Sequence, residues 1–294
     1  MANLDPEDPG DSGTDCECAC CCGGEDRGRG GGGAGRERRG SLWRVALAEA
    51  LGAALLLLLT CLASCGAGGE LQRALTAGLS VALVVQCFDH ISGAQVNPAV
   101  TLAALVSGRV GARRAACMVG AQLAGALLGA GLAAAGGDVG ACVSRVGAVS
   151  AGRAAALEAL AAGVLALANC AAWDSRCAAH TDSWPLRIGF IVAALTLIIG
   201  EATGASMNPA RSLAPALWAA RWEHLWVYWV GPLGGAGAVA ALYRAVWGPA
   251  ARAPLHAPPP GARRPRPAAS TPRAARSPAH SERSRKSSQP SFKL

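Results

Sequence analysis

Charge is scarce in this chain: of 294 residues only 16% are Asp, Glu, Lys or Arg, against 52% hydrophobic, and the mean hydropathy is +0.30 despite two long polar ends. That balance excludes an ordinary soluble domain and points to a membrane protein. An apolar run at the start is also missing. The first one follows more than forty residues of Gly, Asp, Glu, Cys and Arg, too far in and too long for a signal-peptide core, so it is expected to remain as a true span. Two separated Cys-x-x-Cys pairs, the mark of a zinc site, are lacking as well, although Cys16, Cys18, Cys20, Cys21 and Cys22 cluster near the start. That cluster reads as a palmitoylation or metal-binding patch or as an incidental part of a disordered tail, and composition favours the tail. No metal or other cofactor is expected. Cys61, Cys65, Cys87, Cys117 and Cys170 lie in or beside apolar segments, and no disulfide framework is expected on a cytoplasmic side. A catalytic constellation is absent too: Asp89 and His90 pair as a base without a nucleophile, which excludes an enzyme.

What the chain has instead is apolar length. Residues 44 to 66, 112 to 136, 155 to 173, 186 to 203 and 225 to 247 each approach the roughly 20 residues that a bilayer demands, and 72 to 90 form a sixth, less apolar span. With an even number of spans both termini share a side. The last 44 residues carry ten Lys or Arg against Glu282 alone, which makes that side cytoplasmic; Arg109, Arg113 and Arg114, between the second and third spans, agree. The net charge of +8 is therefore mostly a tail property. It points to anionic lipid or a cytosolic partner, and no nucleic-acid partner is expected.

Two tripeptides, Asn97-Pro98-Ala99 and Asn208-Pro209-Ala210, open apolar stretches too short to cross a membrane. Asn is a preferred helix N-cap and Pro a preferred first helical residue, so each tripeptide predicts a helix start with free N–H groups and a positive dipole end. The predicted half-helices, 97 to 107 and 208 to 218, would each measure roughly 16 Å, half a bilayer. Irregular backbone at that depth must line water or be buried in protein, so residues 91 to 96 and 203 to 207 are expected to present carbonyl oxygens to a polar lumen. Glu49 and Glu158 precede the two Asn residues by 48 and 50 positions. A carboxylate inside an apolar span is expensive, and two at matched places are expected to hydrogen-bond the re-entrant backbone.

The matched spacing is that of an internal repeat, about 42 to 136 and 152 to 248. Each half has an odd number of full crossings, so the second enters the membrane from the opposite face. The expected fold is an all-α membrane protein with six transmembrane helices plus two re-entrant half-helices in an inverted repeat, spanning 42 to 248. Disordered tails are expected at 1 to 41 and at 249 to 294.

The segments HISGAQVNPAVT (90 to 101), TGASMNPARS (203 to 212) and WVGPLGG (229 to 235), with a Glu in the first and fourth spans, resemble the aquaporin family over about residues 42 to 248. The resemblance implies a passive water channel in the plasma membrane, a homotetramer, and half-helix ends that repel cations. It implies that Asn97 and Asn208 donate hydrogen bonds to the permeating molecule and that Arg211 belongs to an outer filter. It also implies that Gly93, Ala94, Gln95, Gly204 and Ser206 supply pore-loop backbone, with Glu49, Glu158 and His90 supporting the loops. Counting back from the motifs, the filter positions that carry Phe and His in water-selective members are Ala77 and Thr196 here, and the third is Ala205. A filter this small-sided suggests glycerol and urea beside water. Ser212, Ala216, Tyr228 and Trp229 instead follow the water branch, a combination similar to insect glycerol-carrying aquaporins.

Alternatives stay open: a strictly water-selective channel, a secondary transporter of shared architecture, or a junctional or scaffolding membrane protein with little transport. The tail offers Arg285-Lys286-Ser287-Ser288 as a candidate kinase site within a polybasic patch. Its end, Phe292-Lys293-Leu294, would suit a PDZ-type groove for C-terminal carboxylates.

Overall fold

The structure, a computed structural model, describes residues 41–64, 68–180 and 182–248. Both expected tails, with the Cys cluster, the kinase site and the C-terminal tripeptide, lie outside the described residues except for Ser41, as does Cys65.

Ala- and Leu-rich sequence with few breakers forms eight α-helices among the described residues. They are α1 (Leu42–Ser64), α2 (Glu70–Ser92), α3 (Pro98–Val106), α4 (Ala112–Gly136), α5 (Ala151–Trp173), α6 (Trp184–Thr203), α7 (Pro209–Trp218) and α8 (Val227–Val246). Five of them, α1, α2, α4, α5 and α6, are long and apolar enough to cross a membrane. The sixth long helix, α8, has 20 residues, and its Trp, Tyr and Gly content dilutes its hydropathy. In α1 and α5 half of the most apolar window is buried, against a third in α2. The outward Leu71, Leu75, Leu79, Phe190 and Ile198 are exposed apolar side chains of the kind that face lipid.

Helices pair by repeat: α1 packs on α4 as α5 packs on α8, and α2 meets α6 across the two halves. Each half-helix leans mainly on the other repeat, α3 on α8 and α7 on α4, so the halves interlock. The tight crossings need glycine. A Cβ on Gly125 would collide with the Ala50 carbonyl oxygen of α1, and one on Gly235 with the Ala159 oxygen of α5, the same close approach made once in each repeat. A Gly235→Leu substitution is therefore expected to exceed the usual overpacking penalty of about 1–3 kcal/mol, because the obstacle is backbone. The monodisperse yield from detergent extracts should collapse, and a wild-type elution profile would contradict the crossing.

The helix ends define two faces. At the end where α1 stops, Cys61 is disulfide-bonded to Cys142 in the short 3-10 turn Val139–Cys142. The sequence had shown Cys61 only as a residue of an apolar segment. At the opposite end Asp174 accepts hydrogen bonds from Arg176 Nε (2.8 Å) and the Tyr243 hydroxyl (3.1 Å), while Arg176 Nη2 reaches the Trp247 carbonyl (2.9 Å). These bonds, that of the Arg176 side chain first, hold the Asp174 carboxyl well below the usual carboxylate range.

Candidate functional site

Two loops meet in the middle of the bundle. Helix α2 ends at Gly93 (φ 93°) and α6 at Gly204 (φ 77°), each in the left-handed conformation that favours glycine. The residues beyond alternate: Ala94 (φ 39°) and Val96 (φ 42°) in the first loop match Ala205 (φ 46°) and Met207 (φ 52°) in the second. A left-handed non-glycine residue stores roughly 1–3 kcal/mol, so four of them persist only where surrounding bonds over-determine the backbone.

Those bonds converge on two carboxylates. Glu49, fully buried, accepts from Gln95 N (3.0 Å) and the Ser92 hydroxyl (2.6 Å) on Oε1, and from Val96 N and Gln122 Nε2 (2.7 Å each) on Oε2. Glu158, equally buried, accepts from Ser206 N (2.9 Å) and the Thr203 hydroxyl (2.7 Å) on Oε1, and from Met207 N (2.6 Å) on Oε2. Ser92 and Thr203 are two-way clips, since their oxygens also accept from Ala94 N and Ala205 N. A carboxylate taken out of water is tolerable only with its lone pairs so occupied. Tyr228 braces the end of α6, where the second loop begins, by donating to the Thr203 carbonyl at 2.8 Å.

The half-helices begin where the loops end. Asn97 caps α3 by accepting from Ala99 N (2.8 Å), and Asn208 caps α7 by accepting from Ala210 N (3.0 Å) and Arg211 N (3.3 Å). Each amide also crosses to the opposite loop: Asn97 Nδ2 donates to the Met207 carbonyl and Asn208 Nδ2 to the Val96 carbonyl, both at 2.9 Å. An amide nitrogen has two hydrogens, so each Asn keeps one donor for something else. Both lie on one cavity with Ala77, Thr196, Ala205 and Arg211. Gly93, Ala94, Gln95 and Ser206 line it as well, and Gly204 lines the mouth beyond Arg211. Apolar side chains of the long helices, Leu56, Val81, Val85, Leu165, Ile188 and Val192, make up much of the rest of its lining. Thr196 spends its hydroxyl proton on the Val192 carbonyl of its own helix at 2.8 Å.

With two capped half-helices meeting in such a lumen, relatives become decisive. The sequence model of the Major intrinsic protein family matches residues 37–243. The chain belongs to that family, the aquaporins. It is 38% identical over 244 residues to the lens fiber major intrinsic protein of Gallus gallus, covering 78% of this chain and 93% of the relative. Against aquaporin-2 of Homo sapiens it is 42% identical over 188 residues, 62% of this chain and 69% of the relative. Among solved structures it resembles the aquaglyceroporin from Plasmodium falciparum with a TM-score of 0.65 and 22% identity, covering 70% of this chain and 97% of that one. At that identity the likeness speaks for the fold alone. This aquaporin is thus a membrane channel, in a family of transporters and not of enzymes.

The aquaporin loops correct three readings of the sequence. Residues 91, 92 and 203 are helical and not loop, because each helix runs on until its left-handed glycine stops it. The half-helices accordingly start at Pro98 and Pro209, one residue after their caps. His90 does not support a loop: it is exposed in the last turn of α2 beside Asp89, and the bonds to the first loop come from Glu49 and Ser92. Ser92, Thr203, Gln122 and Ser144 carry polar contacts that sequence reasoning missed. For the first two a signal existed, since Ser92-Gly93-Ala94 and Thr203-Gly204-Ala205 are the same step of the repeat.

Proposed function

We propose that this aquaporin passes water together with small uncharged solutes such as glycerol and urea, passively, while excluding ions and protons. The observation that carries this reading is that Ala77, Thr196 and Ala205, all with small side chains, line the same cavity as Arg211. Selectivity in such pores follows diameter, lining donors and electrostatic barriers. One guanidinium with its spare donors, in a lumen otherwise lined largely by apolar side chains, suits a solute that has hydroxyl or amide groups on one side and carbon on the other.

In this reading the spare Nδ2 hydrogens of Asn97 and Asn208 donate to the permeant's oxygen at mid-depth, and the loop carbonyls accept from it. The N-termini of α3 and α7 both point to that level, so their positive dipole ends, with Arg211, oppose cations. The disulfide end of the bundle is extracellular, where a Cys61–Cys142 bond persists, and the end with Arg109, Arg113 and Arg114 is cytoplasmic. Plasma-membrane residence, cytoplasmic termini and a homotetramer complete the proposal. A strictly water-selective channel is the second reading, favoured by Ser212 and Ala216, where glycerol facilitators resembling this family carry charged residues.

Oocytes expressing the protein should swell in hypotonic medium and also in isosmotic glycerol and urea. Hypotonic swelling with no solute uptake would leave the water-selective reading.

A further inference from the structure

We propose that Ser144 is the positioning residue for the Arg211 guanidinium and thereby sets how open the filter stands; this rests on the channel reading above. Ser144 lies in irregular chain between the 3-10 turn and α5, far in sequence from both pore motifs. Its hydroxyl accepts from Arg211 Nη1 at 2.9 Å, the one side-chain hydrogen bond that Arg211 makes among the described residues.

The bond belongs to a directed chain. Arginine only donates, so the Ser144 oxygen accepts; in its 2.7 Å bond to Ser212 Oγ it is also Ser144 that donates, because the Ser212 proton is already given to Ser206. Ser212 donates to Ser206 Oγ (2.5 Å), which donates to the Asn208 carbonyl (2.9 Å), an obligate acceptor that ends the chain. Every hydroxyl proton is committed in one direction, from the filter cation to the cap of α7. Ser144 itself is pinned on both sides. Two residues before it, Cys142 is bonded to Cys61 of α1; three residues after it, Gly147 N donates to the Ala202 carbonyl of α6 at 2.8 Å.

The small side chains that line the same cavity give this anchor its importance. No bulky group at Ala77, Thr196 or Ala205 holds the guanidinium against its own wall, so Ser144 does. Losing a charge-assisted hydrogen bond shifts such a positional equilibrium by about tenfold or more. A released Arg211 would swing over the lumen, obstructing a solute more than a water molecule.

The test compares S144T, S144V and S144A in oocytes, with permeability to water, glycerol and urea normalised to surface-biotinylated protein. Thr and Val share a shape and differ in the hydroxyl. The expected result is that S144T retains flux, while S144V and S144A lose about tenfold in solute permeability, with a smaller loss for water. Equal permeabilities of S144V and S144T at equal abundance would overturn the assignment while leaving the channel reading intact. If the wild type passes water alone, the same comparison is read on water permeability. A wild type that passes neither would overturn both.

Discussion

Replacing Glu158 with Gln is expected to abolish channel activity and remove most of the folded protein. Three donors, Ser206 N, Met207 N and the Thr203 hydroxyl, converge on this carboxylate in a fully buried site. An amide of the same shape turns one of its acceptors into a donor, so at least one N–H or O–H is left facing another hydrogen. Breaking a buried charged network in this way costs about 3–5 kcal/mol, a large fraction of the roughly 5–15 kcal/mol that stabilises a typical fold. The strained left-handed residues Ala205 and Met207 would relax once unpinned. Glu49→Gln should be at least as severe, because each of its oxygens accepts two of four converging donors, so whichever oxygen becomes the amide nitrogen leaves two of them without an acceptor. Water permeability per surface molecule, with thermal unfolding of purified protein, checks both variants. Wild-type flux and unfolding temperature in either would contradict this account of the loops.

Introducing Phe at 77 and His at 196 together is expected to convert the channel into one that passes water but little else. Both positions face the cavity that Arg211 lines. A phenyl ring and an imidazole in place of a methyl and a short hydroxyl side chain narrow the passage from two sides, and the imidazole adds a polar group where Thr196 now bonds its own helix. A solute wider than water then meets a higher barrier, and each ~1.4 kcal/mol of it reduces flux tenfold. Glycerol and urea permeability should fall by at least about tenfold at comparable abundance, with water flux retained and each single substitution weaker. Unchanged solute flux in the double variant would place the constriction elsewhere in the lumen.

Much of the fold was legible because its determinants are local. Asn-Pro at a helix start states both a cap and a fixed φ, and the structure begins α3 and α7 at those prolines. Apolar length marked six spans, all of them long helices in the structure, though α8 rather than α2 is the one not apolar enough by composition to cross a membrane; the repeat of Glu49 and Glu158 carried the inverted architecture. Counting back from the motifs led to Ala77 and Thr196, which sit on helical faces where register is regular. The unread parts depend on tertiary context. Ala94, Val96, Ala205 and Met207 have no intrinsic preference for left-handed backbone, so nothing in their identities announces the loop geometry. Cys142 and Ser144 lie in a connection without periodicity, and only the folded chain brings them to α1 and to Arg211. His90 misled in the opposite sense, standing next to the loop in sequence while facing outward in space.

The most direct measurement is stopped-flow light scattering on proteoliposomes of the purified wild-type protein, with water, glycerol and urea gradients run in parallel against empty vesicles. Accelerated relaxation is expected in all three, with a low activation energy for water and no dissipation of an imposed pH gradient. Water flux accelerated alone, with glycerol and urea relaxing at the rate of empty vesicles, would contradict the wide filter that Ala77, Thr196 and Ala205 are held to form.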